Sequence, residues 1–248
     1  RALWNWIDLE GSNYLGVGTN IKYYIEKGGE YYDITPYSTI NVLANPITAT
    51  NGSSTLTITD GSYNPSVGDY IVISGASSLG GNITAAVLNQ EYIVATVPSS
   101  TTFTIVAKDT SGATVTANGS DTGHGGATVT VSYEVPVGLN VFTFGTGWGA
   151  GPYSRGTWGS AYTITSGGIE EQLRLWSNDN YGADLVIAPR GGGIYYWQSA
   201  TGPSTRATKL GTLATTAGYS GQFVPNATNQ VVSSAIQRFI IAMGTNSY

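Results

Sequence analysis

Three stretches of the chain share one phrase: an apolar run, a short turn of glycine or asparagine, then an aromatic run. In the first, Tyr14-Leu15-Gly16-Val17-Gly18-Thr19-Asn20 leads to Ile21-Lys22-Tyr23-Tyr24-Ile25. In the second, Asp184-Leu185-Val186-Ile187-Ala188-Pro189-Arg190 leads past three glycines to Ile194-Tyr195-Tyr196-Trp197. The third begins at Phe239-Ile240-Ile241-Ala242-Met243-Gly244 and stops within its own turn. Two β-prone runs joined by such a turn make a hairpin. A further strand is predicted before each, from Trp4 to Leu9, Leu173 to Trp176 and Val231 to Phe239. Three or four strands per repeat is the form of a propeller blade, and blades bury their faces by stacking on one another. The broken third phrase, and a first residue that is Arg1 rather than Met, predict a piece of a longer protein.

Composition narrows the fold class to all-β. Only 10% of the residues are charged, against about a quarter in ordinary domains. Gly (34) and Tyr (17) are abundant, and runs of strong helix formers are missing. β-Branched and aromatic side chains fit a pleated surface, so strands and turns are expected. The chain has no cysteine, which excludes disulfides and thiolate metal sites. A formal net charge of −5 without a basic stripe argues against nucleic-acid binding. No run approaches the ~20 apolar residues of a membrane span, and Arg1-Ala2-Leu3-Trp4-Asn5-Trp6 has no signal-peptide core.

The charge divides the chain. Between Leu43 and Glu134 one cation, Lys108, stands against Asp60, Asp69, Glu91, Asp109, Asp121 and Glu134, so this segment carries the whole imbalance. All six tryptophans lie outside it. Within it, alternation marks strands at Thr55–Thr59, Tyr70–Ile73, Tyr92–Ala95, Thr102–Ile105 and Ala127–Tyr133. Turns are expected at Asp60-Gly61, Val67-Gly68-Asp69 and Ser111-Gly112. The predicted organisation is a propeller-like β domain over 1–42 and 135–248. An acidic small β-barrel or sandwich over 43–134 is inserted in a connecting loop, where insertions are tolerated.

Few residues offer chemistry. His124, the only histidine, sits in Gly123-His124-Gly125-Gly126, where little packing would hold it as a triad base. Glu170 and Glu171 are adjacent, so on a strand they would face opposite ways rather than flank one sugar bond. Asn178-Asp179-Asn180-Tyr181-Gly182-Ala183-Asp184 resembles the start of a calcium loop, but no bidentate Glu follows at the right spacing. An Asn/Asp-rich turn is the expected structure there. Gly191-Gly192-Gly193 lacks the Lys-Ser/Thr of a phosphate loop and reads as a turn needing positive φ. Tyr23-Tyr24, Tyr31-Tyr32 and Tyr195-Tyr196-Trp197 could stack sugars or bases, although strand packing and subunit contact are their commoner uses. From Gly145 to Gly159 runs a Gly-rich loop carrying Trp148, Tyr153 and Trp158, indoles that need a partner. No catalytic, cofactor-binding or metal-ligating residue is assigned, and no cofactor is expected.

Several of these phrases resemble the blades of propeller-like tail proteins of tailed bacteriophages. They are Gly18-Thr19-Asn20 with Tyr23-Tyr24 and Gly28-Gly29-Glu30-Tyr31-Tyr32-Asp33-Ile34-Thr35-Pro36; Leu175-Trp176-Ser177 with Tyr181-Gly182-Ala183-Asp184 and Pro189-Arg190-Gly191-Gly192-Gly193-Ile194-Tyr195; and Val232-Ser233 with Arg238-Phe239 and Gly244-Thr245-Asn246. The Trp148 and Trp158 loop is similar to Gly/Trp loops of the same proteins. Val67–Gly75, Leu88–Val94 and Thr102–Ile105 resemble a small β-domain common in phage tails, with Gln90 standing where that pattern often has glycine. The resemblance implies a non-enzymatic structural role in the virion, of tail-nozzle or tail-tube-extension type. The implied partners are copies of the chain in a ring-like homo-oligomer and other tail proteins. Alternatives are a carbohydrate-binding host-attachment module, with host-surface glycans as partners, and a glycan-degrading tail enzyme.

Overall fold

The computed structural model describes residues 2–119, 123–135, 175–234 and 236–245. In chain order the strands begin with β1 (Ala2–Ile7), β2 (Asn13–Gly18), β3 (Tyr23–Lys27) and β4 (Glu30–Asp33). Then come β5 (Tyr37–Leu43), β6 (Ile47–Ala49), β7 (Thr55–Thr59), β8 (Tyr70–Ser74), helix α1 (Ala85–Leu88), β9 (Glu91–Ile93), β10 (Thr96–Ser99), β11 (Thr102–Val106) and β12 (Val129–Glu134). The remainder is β13 (Trp176–Tyr181), β14 (Asp184–Pro189), β15 (Tyr195–Trp197), β16 (Thr208–Lys209), helix α2 (Leu210–Thr216), β17 (Gln230–Ser233) and β18 (Ile240–Met243). The fold is all-β, and its strands pair antiparallel. The chain forms two compact units, Arg1–Tyr32 with Val137–Ile194 and Pro225–Tyr248, and Asp33–Pro136 with Tyr195–Val224.

The first unit is a series of β pieces. β1 to β4 form a four-stranded meander in sequence order. Strand period 2 sends Trp4, Trp6, Tyr14, Gly16, Gly18, Tyr23 and Ile25 to one face, which is buried apart from Trp4. That face meets the β13–β14 hairpin. Trp6 Nε1 donates to the Ala183 carbonyl at 3.0 Å, Trp4 Nε1 to Asn180 Oδ1 at 3.3 Å, and Trp176 Nε1 to the Thr19 carbonyl at 3.0 Å. Tyr23 and Trp176 meet edge to face, with centroids 5.1 Å apart. Gly18 is glycine because a Cβ there would lie 2.6 Å from Trp176 Cδ1.

The opposite face of β13 carries Ser177, Asp179 and Tyr181, and it holds the β17–β18 ribbon. Ser177 Oγ accepts from Val231 N at 2.9 Å, Asp179 Oδ2 accepts from Ser233 N at 2.7 Å, and Tyr181 OH donates to the Arg238 carbonyl at 2.8 Å. The hairpin is thus covered on both sides. This explains why β14 is an unbroken apolar run from Leu185 to Pro189, all buried, rather than an alternating one.

Two elements of this unit differ from those the sequence predicts. Asn178 to Asn180, expected in an Asn/Asp-rich turn, lie on β13. The turn is the two-residue Gly182-Ala183, closed by Tyr181 opposite Asp184, with Gly182 at φ +68°. Glycine at the first central position is what a II′ hairpin turn requires. The single strand expected from Val231 to Phe239 is instead most of β17 and the turn that leads to β18. Arg238 takes φ +55° in that turn, and its N–H donates to the Ser234 carbonyl at 2.9 Å.

The second unit is a sandwich of two four-stranded sheets, ordered β10-β11-β7-β6 and β5-β12-β8-β9, and neither closes into a barrel. Leu56, Ile58, Phe103 and Ile105 from one sheet pack against Ile71, Ile73, Val129, Val131 and Tyr133 from the other. These are the inward members of the alternating strands read from the sequence. α1 is one turn, capped by Thr84, whose Oγ1 accepts from Val87 N at 3.3 Å. The segment with β15, β16 and α2 joins this unit, and β15 pairs with β16.

Candidate functional site

Among the described residues, Asp33, Glu91 and Glu134 bring carboxylate oxygens within 4.8 Å of one another. Asp33 ends β4, Glu91 opens β9 and Glu134 closes β12. All three belong to the second unit, and so does Arg206, which they surround. Arg206 Nη1 lies 2.8 Å from Glu134 Oε1 and donates to the Thr35 carbonyl at 2.7 Å. Its Nη2 lies 3.1 Å from Asp33 Oδ2 and 3.8 Å from Glu91 Oε2. The guanidinium also sits over the Tyr37 ring, 4.7 Å from its centroid. Ala207 N donates to the Ile34 carbonyl at 3.1 Å, continuing the attachment along the backbone.

Burial works against the Arg206 charge, but the facing charges of Glu134 and Asp33 outweigh it and hold the pKa above its ordinary value. The Tyr37 phenol is pushed up chiefly by burial, against the opposing pull of Arg206. Arg is suited to such a place because its planar fork meets several oxygens at once and stays charged. Arg206 fills the position that a cation would take between these carboxylates. The cluster acts as an anchor, fastening the Tyr195–Val224 segment to the β5-β12-β8-β9 sheet.

A second polar group is buried at the end of β7. Asp60 Oδ2 accepts from Tyr133 OH at 2.7 Å and from Asn41 Nδ2 at 2.7 Å, while its Oδ1 accepts from Ser62 N at 2.8 Å. Burial, then the bond to Asp60, holds the Tyr133 phenol far above its ordinary pKa. Asp60 therefore joins β5 and β12 to the turn that follows β7. The other described acids of the segment also have local work. Asp69 Oδ2 accepts from Ser66 N at 2.7 Å, and Asp109 Oδ1 accepts from Ser111 N and Ala113 N, each at 2.9 Å. With Glu91 and Glu134 turned to Arg206, each described acid of the segment has a partner within the unit.

The residues singled out from the sequence do not converge. His124 is exposed at φ +47°, and its Nδ1 lies 3.2 Å from the Ile47 carbonyl. Asp179 is engaged by Ser233 N and by Asn180 N at 2.9 Å. Gly191 turns the chain at φ +76°. Glu170, Glu171, Trp148 and Trp158 lie outside the described residues. Sequence reasoning missed Arg206 altogether. The one signal for it was the acidic excess of the 43–134 segment, two of whose acids, Glu91 and Glu134, meet Arg206, which lies outside that segment.

No family model matches the chain. No curated protein matches it. Among solved structures, it is similar to a chain described as phage phi92 endosialidase, at a TM-score of 0.30 and 16% identity. The alignment covers 80% of this chain and 27% of that one. At that score the likeness is too slight to carry an argument about fold or activity.

Proposed function

We propose that the chain is a non-enzymatic structural component of a bacteriophage tail, working in an oligomeric assembly in the virion through β-rich interfaces. The observation that carries the oligomeric part is the surface of three strands that lie at sheet edges among the described residues. Leu3 and Ile7 on β1, Ile40 and Val42 on β5, and Ile241 and Met243 on β18 are all exposed, Leu3 by 71% and Val42 by 66%. None of these three strands carries a Lys, Arg, Asp, Glu or Pro, the residues that ordinarily guard a free edge against pairing. Such strands are suited to coverage by other chains, and the low charge and many aromatics fit large permanent interfaces. The tail assignment rests on the resemblance of the hairpin phrases to propeller-like tail proteins. On the same reading the sandwich is a module inserted among blade-like pieces. Mass spectrometry of purified particles tests the assignment: the chain is expected as a stoichiometric virion protein, and its absence from particles would refute the reading.

A further inference from the structure

We infer that copies of this chain join head to tail, the β17–β18 ribbon of one copy packing on the outer face of the β1–β4 meander of the next. The inference rests on the tail-assembly reading and names the surfaces and the partner that it leaves open. Within the first unit the pieces are added in series: meander, then hairpin, then ribbon. Among the described residues the middle piece is covered on both sides, and each end piece on one. In a serial array the terminal pieces need polar outer faces to remain soluble, and here both ends are apolar.

At the head, the outward residues of β1 to β3 are Leu3, Asn5, Ile7, Leu15, Val17, Tyr24 and Glu26, as their cross-strand pairing fixes. Leu3 and Val17 also border an open concavity of about 500 Å³ at the end of β1 and β2, where Ala2, Gly18, Thr19 and Asn20 complete its lining. At the tail, Phe239, Ile241 and Met243 alternate along one face and are 61%, 50% and 43% exposed. Val232, opposite Ile241, lies beside them.

The two ends differ, so the contact is heterologous rather than self-complementary. Their charges are opposite. Arg238 is the only charged residue between Gln230 and Thr245, whereas the β1–β2 turn and β3 at the head carry Asp8, Glu10 and Glu26 against the nearby Lys27. A second copy supplies both halves of this match: its head meets the apolar tail, and its tail is left to meet the next head. The same sense of addition that orders the pieces within the chain then continues across the subunit boundary.

Two substitutions at exposed positions test this. Leu3→Glu blocks the head and leaves the tail intact, and Ile241→Glu does the reverse. The unaltered chain is expected to sediment as an oligomer in analytical ultracentrifugation. Each variant should be monomeric at the same concentration with an unchanged circular dichroism spectrum. An equimolar mixture of the two should give a 1:1 dimer and nothing larger, because one good head and one good tail remain. The uncharged pair Leu3→Ser and Ile241→Ser should weaken assembly in the same pattern. An unaltered chain that is monomeric, a single variant that keeps full assembly, or a mixture that stays monomeric would each overturn the proposal. Presence or absence of the chain in purified particles decides the tail reading separately, so the two can fail independently.

Discussion

At the scale of single residues, Arg206 has the largest energetic leverage described. Glu134 is almost wholly buried, with its side chain 2% exposed, and Arg206 meets it at 2.8 Å. Removing one partner of a buried pair leaves an uncompensated charge and costs about 3–5 kcal/mol. Arg206 keeps partial exposure at 20%, so the lower end applies. Arg206→Ala is expected to destabilise the protein by about 3 kcal/mol in a urea titration. Lys is expected to recover only part of this, since an ammonium cannot span Glu134, Asp33 and the Thr35 carbonyl as the fork does. A loss below about 1 kcal/mol would mean that the cluster behaves like an exposed ion pair. The raised pKa of Arg206 gives the pH sign. The stabilisation tied to its charge is complete below the ordinary arginine range and is lost only as pH climbs through the still higher folded value. Neutral and mildly alkaline buffers should therefore give the same difference. None of this geometry was legible in the sequence, because its four charged members run from position 33 to 206 and share no local spacing.

At the scale of elements, the strands that were legible are those buried on one face. Thr55–Thr59 reads as alternating Leu56 and Ile58 between threonines and is β7 residue for residue, and β8 and β11 match within one residue. Alternation works there because one face looks into the sandwich and the other outward. It fails on β13, where Ser177-Asn178-Asp179-Asn180 has the composition of a turn but forms a strand. The polar side chains are kept because both faces have polar work: Asn180 accepts from Trp4, and Ser177 and Asp179 bind the backbone of β17. The same packing makes a prediction at Gly18. A methyl there would collide with the Trp176 ring, a fixed aromatic in a close-packed contact. Gly18→Ala is expected to cost about 1–3 kcal/mol through overpacking and to change the near-UV circular dichroism of the indoles. The same change at Gly11, which meets nothing within 4 Å but has φ +83°, would cost through backbone strain and leave the indole signal alone. If Gly18→Ala left both stability and the aromatic spectrum untouched, the meander and hairpin could not be packed as described.

At the scale of the whole molecule, apolar surface and low charge decide how the chain should associate. Its sequence carries 10 basic and 15 acidic residues among 248, and several of the described acids are occupied by Arg206, Tyr133 or backbone N–H groups. Charged groups this sparse leave apolar surface as the main source of contact energy. The contacts proposed for Leu3, Ile7, Phe239, Ile241 and Met243 are hydrophobic, and this kind of contact has a distinct response to conditions. Screening at about 1 M salt shortens the Debye length to roughly 3 Å and would dissolve an assembly held by surface charge. Apolar contacts survive such screening. They are strengthened by sulfate and weakened by cooling, because their driving force near room temperature is entropic. Assembly measured by sedimentation is therefore expected to persist in 1 M sodium chloride at about the strength it has in dilute buffer. It should tighten in sulfate and loosen towards 4 °C, with a negative heat-capacity change on association. Dissociation by sodium chloride alone would instead assign the contact to Arg238 against Asp8, Glu10 and Glu26. The apolar ends of the first unit would then need a different explanation.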